Sequence, residues 1–138
     1  MRVLLDTNVL IDVIVAREPF LADSARVWAL IESKQVEGLV SATSFTTVYY
    51  IVRRLRSRAV ADKALNAMRS LFTIAACDAT VIDRAVTSDF EDFEDAVQYF
   101  SALNAAAEYI VTRDSHHFSQ SEIPVLAPVE FLAMILNQ

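Results

Sequence analysis

Short apolar runs alternate along this chain with longer segments whose apolar residues recur every three or four positions, and few architectures accept that pattern. Arg2 to Leu5, Gly38 to Ala42, Phe72 to Cys77, Glu108 to Thr112 and Pro124 to Ala127 read as strands. Between them the spacing predicts helices from Val9, over Pro19 to Lys34, Thr43 to Leu55 and Val60 to Leu71, then from Asp78 to about Thr87, Asp92 to Ala107 and Pro128 to Leu136. The strands are apolar throughout rather than apolar at every second residue. A strand of that kind is buried on both faces, as in a parallel sheet covered by helices on each side.

The length of 138 residues suits one domain, expected to span 1–138, with no repeat or linker. Gly38 is the only glycine, so no glycine-rich loop for a dinucleotide or a nucleotide phosphate can be written. The single cysteine, Cys77, excludes an internal disulfide and a cysteine-based zinc site, and reads as a small buried hydrophobe. An aspartate interrupts the N-terminal apolar run at once, and no stretch has the roughly 20 uncharged apolar residues of a membrane span. These features predict a soluble, cytoplasmic protein. The net charge of −6 disfavours a general polyelectrolyte binder of nucleic acid unless cations or local basic patches intervene.

The acids are placed where ligands bind. In open parallel sheets, sites form beyond the carboxyl ends of the strands, and Asp6 and Asp114 each follow a predicted strand. A further cluster, Asp89, Glu91, Asp92, Glu94 and Asp95, stands at the start of the clearest helix. Glu91 and Glu94 read as complements to the helix dipole. Asp95 precedes Ala96 on the buried stripe and is expected to face the sheet. Carboxylates that converge out of water call for a counter-charge, and oxygen-only ligands favour Mg²⁺ or Mn²⁺.

In this order and at this separation, Leu4-Leu5-Asp6-Thr7-Asn8-Val9-Leu10, Asp92-Phe93-Glu94-Asp95-Ala96 and Ile110-Val111-Thr112-Arg113-Asp114 resemble the PIN-domain nucleases, including VapC-like toxins. The resemblance covers essentially the whole chain. It implies a three-layer α/β/α sandwich around a mainly parallel sheet, and Mg²⁺- or Mn²⁺-dependent endonucleolytic cleavage of RNA. It casts Asp6, Asp95 and Asp114 as catalytic, metal-binding carboxylates, Thr112 as the hydroxyl that helps hold the site, and Asn8 as a supporting partner. It also implies a small antitoxin protein as partner, and a homodimer.

The chain departs from the family pattern at Thr47, where a glutamate is common. That removes a charge and an oxygen ligand, and Asp92 is the acid placed to substitute. The alternative reading is therefore a catalytically weak or inactive module that binds RNA or protein. Arg53, Arg54, Arg56, Arg58 and Lys63 form a basic segment on an acidic protein; Arg53, Arg54 and Arg56 are expected either to contact RNA phosphates or to complement a helix end. His116 and His117 read as an exposed loop pair without a chemical role, and Trp28, Tyr49 and Tyr50 as core or oligomer contacts.

Overall fold

The computed structural model describes residues 1–137. In chain order the elements are β1 (Arg2–Leu5), α1 (Thr7–Ile14), α2 (Leu21–Glu32), β2 (Glu37–Ser41), α3 (Ala42–Leu55), α4 (Arg58–Leu71), β3 (Thr73–Ala75), α5 (Ala79–Thr87), α6 (Phe93–Asn104), β4 (Tyr109–Val111), β5 (Val125–Leu126) and α7 (Pro128–Leu136), with one 3-10 turn at Ser115–Phe118. All strand pairs are parallel, in the order β3-β2-β1-β4-β5.

Both faces of the sheet are covered, as the unbroken apolar strands predict. Successive strand residues point to opposite faces. Val3, Leu5, Val40 and Val111 join one core with side chains of α1, α2, α3, α4 and α7, among them Leu10, Trp28, Val48, Met68 and Phe131. Leu4, Leu39, Ala75 and Ile110 join the other core with Tyr99 and Ala102 of α6, and α5 packs on α6 through Val81, Ala85, Ala96 and Val97. Three layers, α/β/α, result. Trp28 is buried against Phe72 with the rings edge to face, whereas Tyr50 is largely exposed.

Element ends differ from the sequence expectation where local bonds intervene. Pro19 lies in a turn ahead of α2, closed by Phe20 N–H donating to Arg17 C=O, rather than in the helix's first turn. Phe72 belongs to the end of α4, where its N–H donates to Met68 C=O, so β3 is shorter than the apolar run that contains it. Asp92 caps α6 from outside, and the helix ends at Asn104 rather than Ala107.

The strand order fixes where a site can form. From β1 the chain moves outward through β2 and β3, then returns to the other side of β1 to lay down β4 and β5. The switch point lies between β1 and β4. Beyond the carboxyl ends of strands at such a point the helices diverge and leave a crevice.

Candidate functional site

Asp6 is the first residue beyond β1 and the N-cap of α1. Its backbone N–H donates to Val111 C=O, tying it to β4 at the switch point. One carboxylate oxygen accepts from Thr7 N–H, the first of α1, at 2.7 Å. The other accepts from the Thr112 hydroxyl at 2.7 Å and from Asn8 Nδ2 at 3.4 Å. The Thr112 Oγ1 also accepts from Asn8 Nδ2 at 3.2 Å and from Asp114 N–H at 3.1 Å. Asn8 Nδ2 reaches Asp114 Oδ2 at 3.2 Å as well, so one amide group lies between two carboxylates. This brings together residues more than a hundred positions apart in sequence.

Asp95 approaches from the third direction, in the first turn of α6. Asp6, Thr7, Asn8, Ile11, Arg17, Thr47, Ile51, Asp92, Glu94, Asp95, Asp114 and His117 line one cleft of about 350 Å³. The Asp6 carboxyl is pushed up to about 6, first by burial and then, against the lowering effect of Thr112 and Thr7, by the charges of Glu94 and Asp114. The Asp95 carboxyl is likewise pushed up to about 6, by burial and by the neighbouring Asp6 and Asp92, with His117 opposing. Both shifts are led by burial, and the neighbouring acids of the cleft add to it.

The supporting residues fall into distinct positions. Thr47 is half-buried on the cleft wall and its hydroxyl donates to Thr43 C=O. Asp92 lines the cleft, but one of its oxygens accepts the Asp95 N–H at 2.9 Å as the cap of α6. Beneath them lies a buried polar layer, in which Gln98 Nε2 donates to Ser44 Oγ at 3.0 Å and to Thr7 Oγ1 at 3.4 Å, and the two hydroxyls bond each other at 3.0 Å. Thr7, Ser44 and Gln98 belong to α1, α3 and α6, so this layer joins the helices that carry Asp6, Thr47 and Asp95.

Two sequence expectations change, and a further residue joins the cleft. Glu94, read as a helix-dipole complement, faces the cleft, because the first turn of α6 presents it to Asp6. His117, read as a loop residue without a role, sits in the 3-10 turn after Asp114 with Nδ1 3.4 Å from Asp95 Oδ2. Arg17, which no sequence motif marks, is the one arginine of the cleft lining. It follows α1 in a turn, where its N–H donates to Asp12 C=O at 2.9 Å. Arg53, Arg54 and Arg56 stand at the end of α3 and are not part of the cleft lining. Arg53 and Arg54 are exposed, while Arg56 donates to Val15 C=O at 2.7 Å and to Leu55 C=O at 3.1 Å.

The donor set fits a hard divalent cation: carboxylates backed by hydroxyl and amide groups, with no sulfur donor among them. Among the described residues no group of three or more His, Cys, Asp or Glu side chains is already arranged to hold a metal ion. As they stand, Asn8 bridges Asp6 and Asp114 and His117 takes an oxygen of Asp95.

The fold and cleft together define a parallel α/β protein with an acidic crevice at the sheet's switch point. The PIN domain family model matches residues 2–116, and the chain belongs to that family. Ribonuclease VapC1 of Aquifex aeolicus is 24% identical over 136 residues, which cover 94% of this chain and 92% of that protein. The solved structure of Mycobacterium tuberculosis VapC20, described as a sarcin-ricin loop cleaving toxin, superposes with a TM-score of 0.70 at 17% identity over 86% of this chain and 94% of the other. A toxin-antitoxin complex from Klebsiella pneumoniae contains a chain that superposes with a TM-score of 0.67 at 22% identity, over 91% of this chain and 97% of that one.

Proposed function

We propose that this protein is a metal-dependent endoribonuclease, the toxin of a toxin-antitoxin pair. The observation that carries the reading is the convergence of Asp6, Asp95 and Asp114, from the ends of two strands and the start of a helix, on one cleft with excess negative charge. Family membership and the names of the similar proteins support the choice of RNA as substrate and of a small antitoxin as partner. An acidic cleft repels RNA on its own, so a cation must stand between the carboxylates and the phosphate.

Asp6, Asp95 and Asp114 are the residues that would hold Mg²⁺ or Mn²⁺, with Asp92 and Glu94 at the rim. A bound ion of this kind supplies Lewis-acid polarisation of a phosphodiester oxygen and makes water more acidic. Thr112 and Asn8 orient the Asp6 and Asp114 carboxylates through the bonds described above. Arg17 offers a cation to a phosphate of the strand entering the cleft. His117, half-exposed with Nδ1 3.4 Å from Asp95 Oδ2, would serve as the acid for the departing oxygen. Arg53 and Arg54, exposed at the end of α3, would contact phosphates of a longer RNA, and a second copy of the chain would form a homodimer.

The test is cleavage of a panel of structured and unstructured RNAs by purified protein with Mn²⁺ or Mg²⁺. Cleavage is expected, and Asp6→Asn, Asp95→Asn or Asp114→Asn each lower its rate by about 100-fold or more. Thr47 favours a second reading, since the wall position that could bear a carboxylate carries a hydroxyl. RNA left intact at high Mn²⁺, but bound, would establish the inactive binding module instead.

A further inference from the structure

Arg113 separates Thr112 from Asp114, yet its side chain turns away from the cleft. The guanidinium forms a fork on Asp12, with Nε donating to Oδ2 at 2.6 Å and Nη2 to Oδ1 at 3.3 Å. Asp12 is fully buried in α1, and Arg17 is its other cation, at 3.9 Å. The guanidinium sits over the ring of Phe20, with Cζ 3.9 Å from its centroid. Asp12 stands four residues after Asn8, so both project from the same face of α1. Asn8 meets the same segment: its Oδ1 accepts the Arg113 N–H at 3.3 Å while its Nδ2 reaches Asp114 Oδ2. The stretch from Thr112 to Asp114 is thus fastened to α1 at two levels one helical turn apart.

We infer that Arg113 is a positioning residue, which sets the place of the Asp114 carboxylate in the cleft by gripping buried Asp12. The inference rests on the reading of Asp114 as a metal-binding carboxylate. A buried carboxylate needs its partner for stability, but any cation would meet that need. The planar fork and the stacking on Phe20 do more, because they leave the Arg113 backbone little freedom to rotate, and Asp114 follows directly. Lysine would keep the charge and lose the fork.

Arg113→Lys separates the two roles. In the metal-free protein, hydrogen exchange at the Asp114 amide is expected to rise about 10-fold or more while exchange in the sheet core is unchanged, and Mn²⁺ affinity measured by calorimetry is expected to fall about 10-fold. If Arg113→Lys does not fold, the neutral pair Asp12→Asn with Arg113→Gln serves, with the same two losses expected. Unchanged exchange at Asp114 overturns the inference, as does unchanged Mn²⁺ affinity in a variant whose exchange has risen. Failure of the unsubstituted protein to bind Mn²⁺ counts against the proposed function instead, and the exchange measurement still decides the role of Arg113.

Discussion

Asp6 serves at once as helix cap, acceptor for Thr112 and wall of the acidic cleft, and these roles pull its proton affinity in opposite directions. Burial prevails. With a folded value of about 6 against an ordinary 3.8, the folded protein keeps a proton between those pH values that the unfolded chain has released. Stability from this group therefore falls as pH rises through roughly 4 to 6 and stays lower above it. Asp6→Asn is expected to stabilise the metal-free protein at pH 7.5 by up to about 3 kcal/mol, and to give no gain near pH 4; urea melts at the two pH values check this. At Thr47 the opposite exchange is informative. Thr47→Glu adds a carboxylate to the wall, so Mn²⁺ affinity is expected to rise about 10-fold or more while the metal-free protein melts lower, as calorimetry with and without the ion would record. The acids at 6, 95 and 114 were legible in the sequence because each stands at a strand end or helix start. Arg17 was not, because its place in the cleft lining depends on elements that the fold brings together there.

At the scale of elements, the strands explain the one glycine. Gly38 lies in β2 opposite Val3, and a Cβ there would come within 2.7 Å of Phe72 Cδ1 and 2.8 Å of Ile31 Cδ1. The glycine serves close packing of α2 and the end of α4 on the sheet. Gly38→Ala is expected to cost about 1–3 kcal/mol, seen as a lower denaturant midpoint with an unchanged slope. Helix α1 supports the site along its length, with Asp6 at its cap, Thr7 in the polar layer, Asn8 between the carboxylates and Asp12 on Arg113. Its apolar residues Val9, Leu10, Val13 and Ile14 were enough to predict a helix. They were not enough to tell that Asp12, an acid, is buried, since that depends on an arginine a hundred residues away.

For the whole molecule, the charge of −6 is unevenly distributed, and the cleft concentrates like charges that a divalent cation would offset. At a hundredfold excess over its dissociation constant, Mn²⁺ is expected to raise the melting temperature at pH 7.5 by about 5–10 °C. Asp6→Asn is expected to lose most of that gain, and NaCl at equal ionic strength not to reproduce it; differential scanning calorimetry distinguishes these outcomes. Among the described residues no helix is long and apolar enough to cross a membrane. The sequence by itself determined the parallel sheet covered on both faces and the acids at its strand ends, because hydrophobic period and chain reversals are local properties that survive without the fold. Only the tertiary structure decided that Glu94, Arg17 and His117 share the cleft, that Asp92 has an oxygen committed to a cap, and that Asp12 holds Arg113. Those facts depend on which helices meet across the switch point, and distances between elements are set by packing rather than by spacing along the chain.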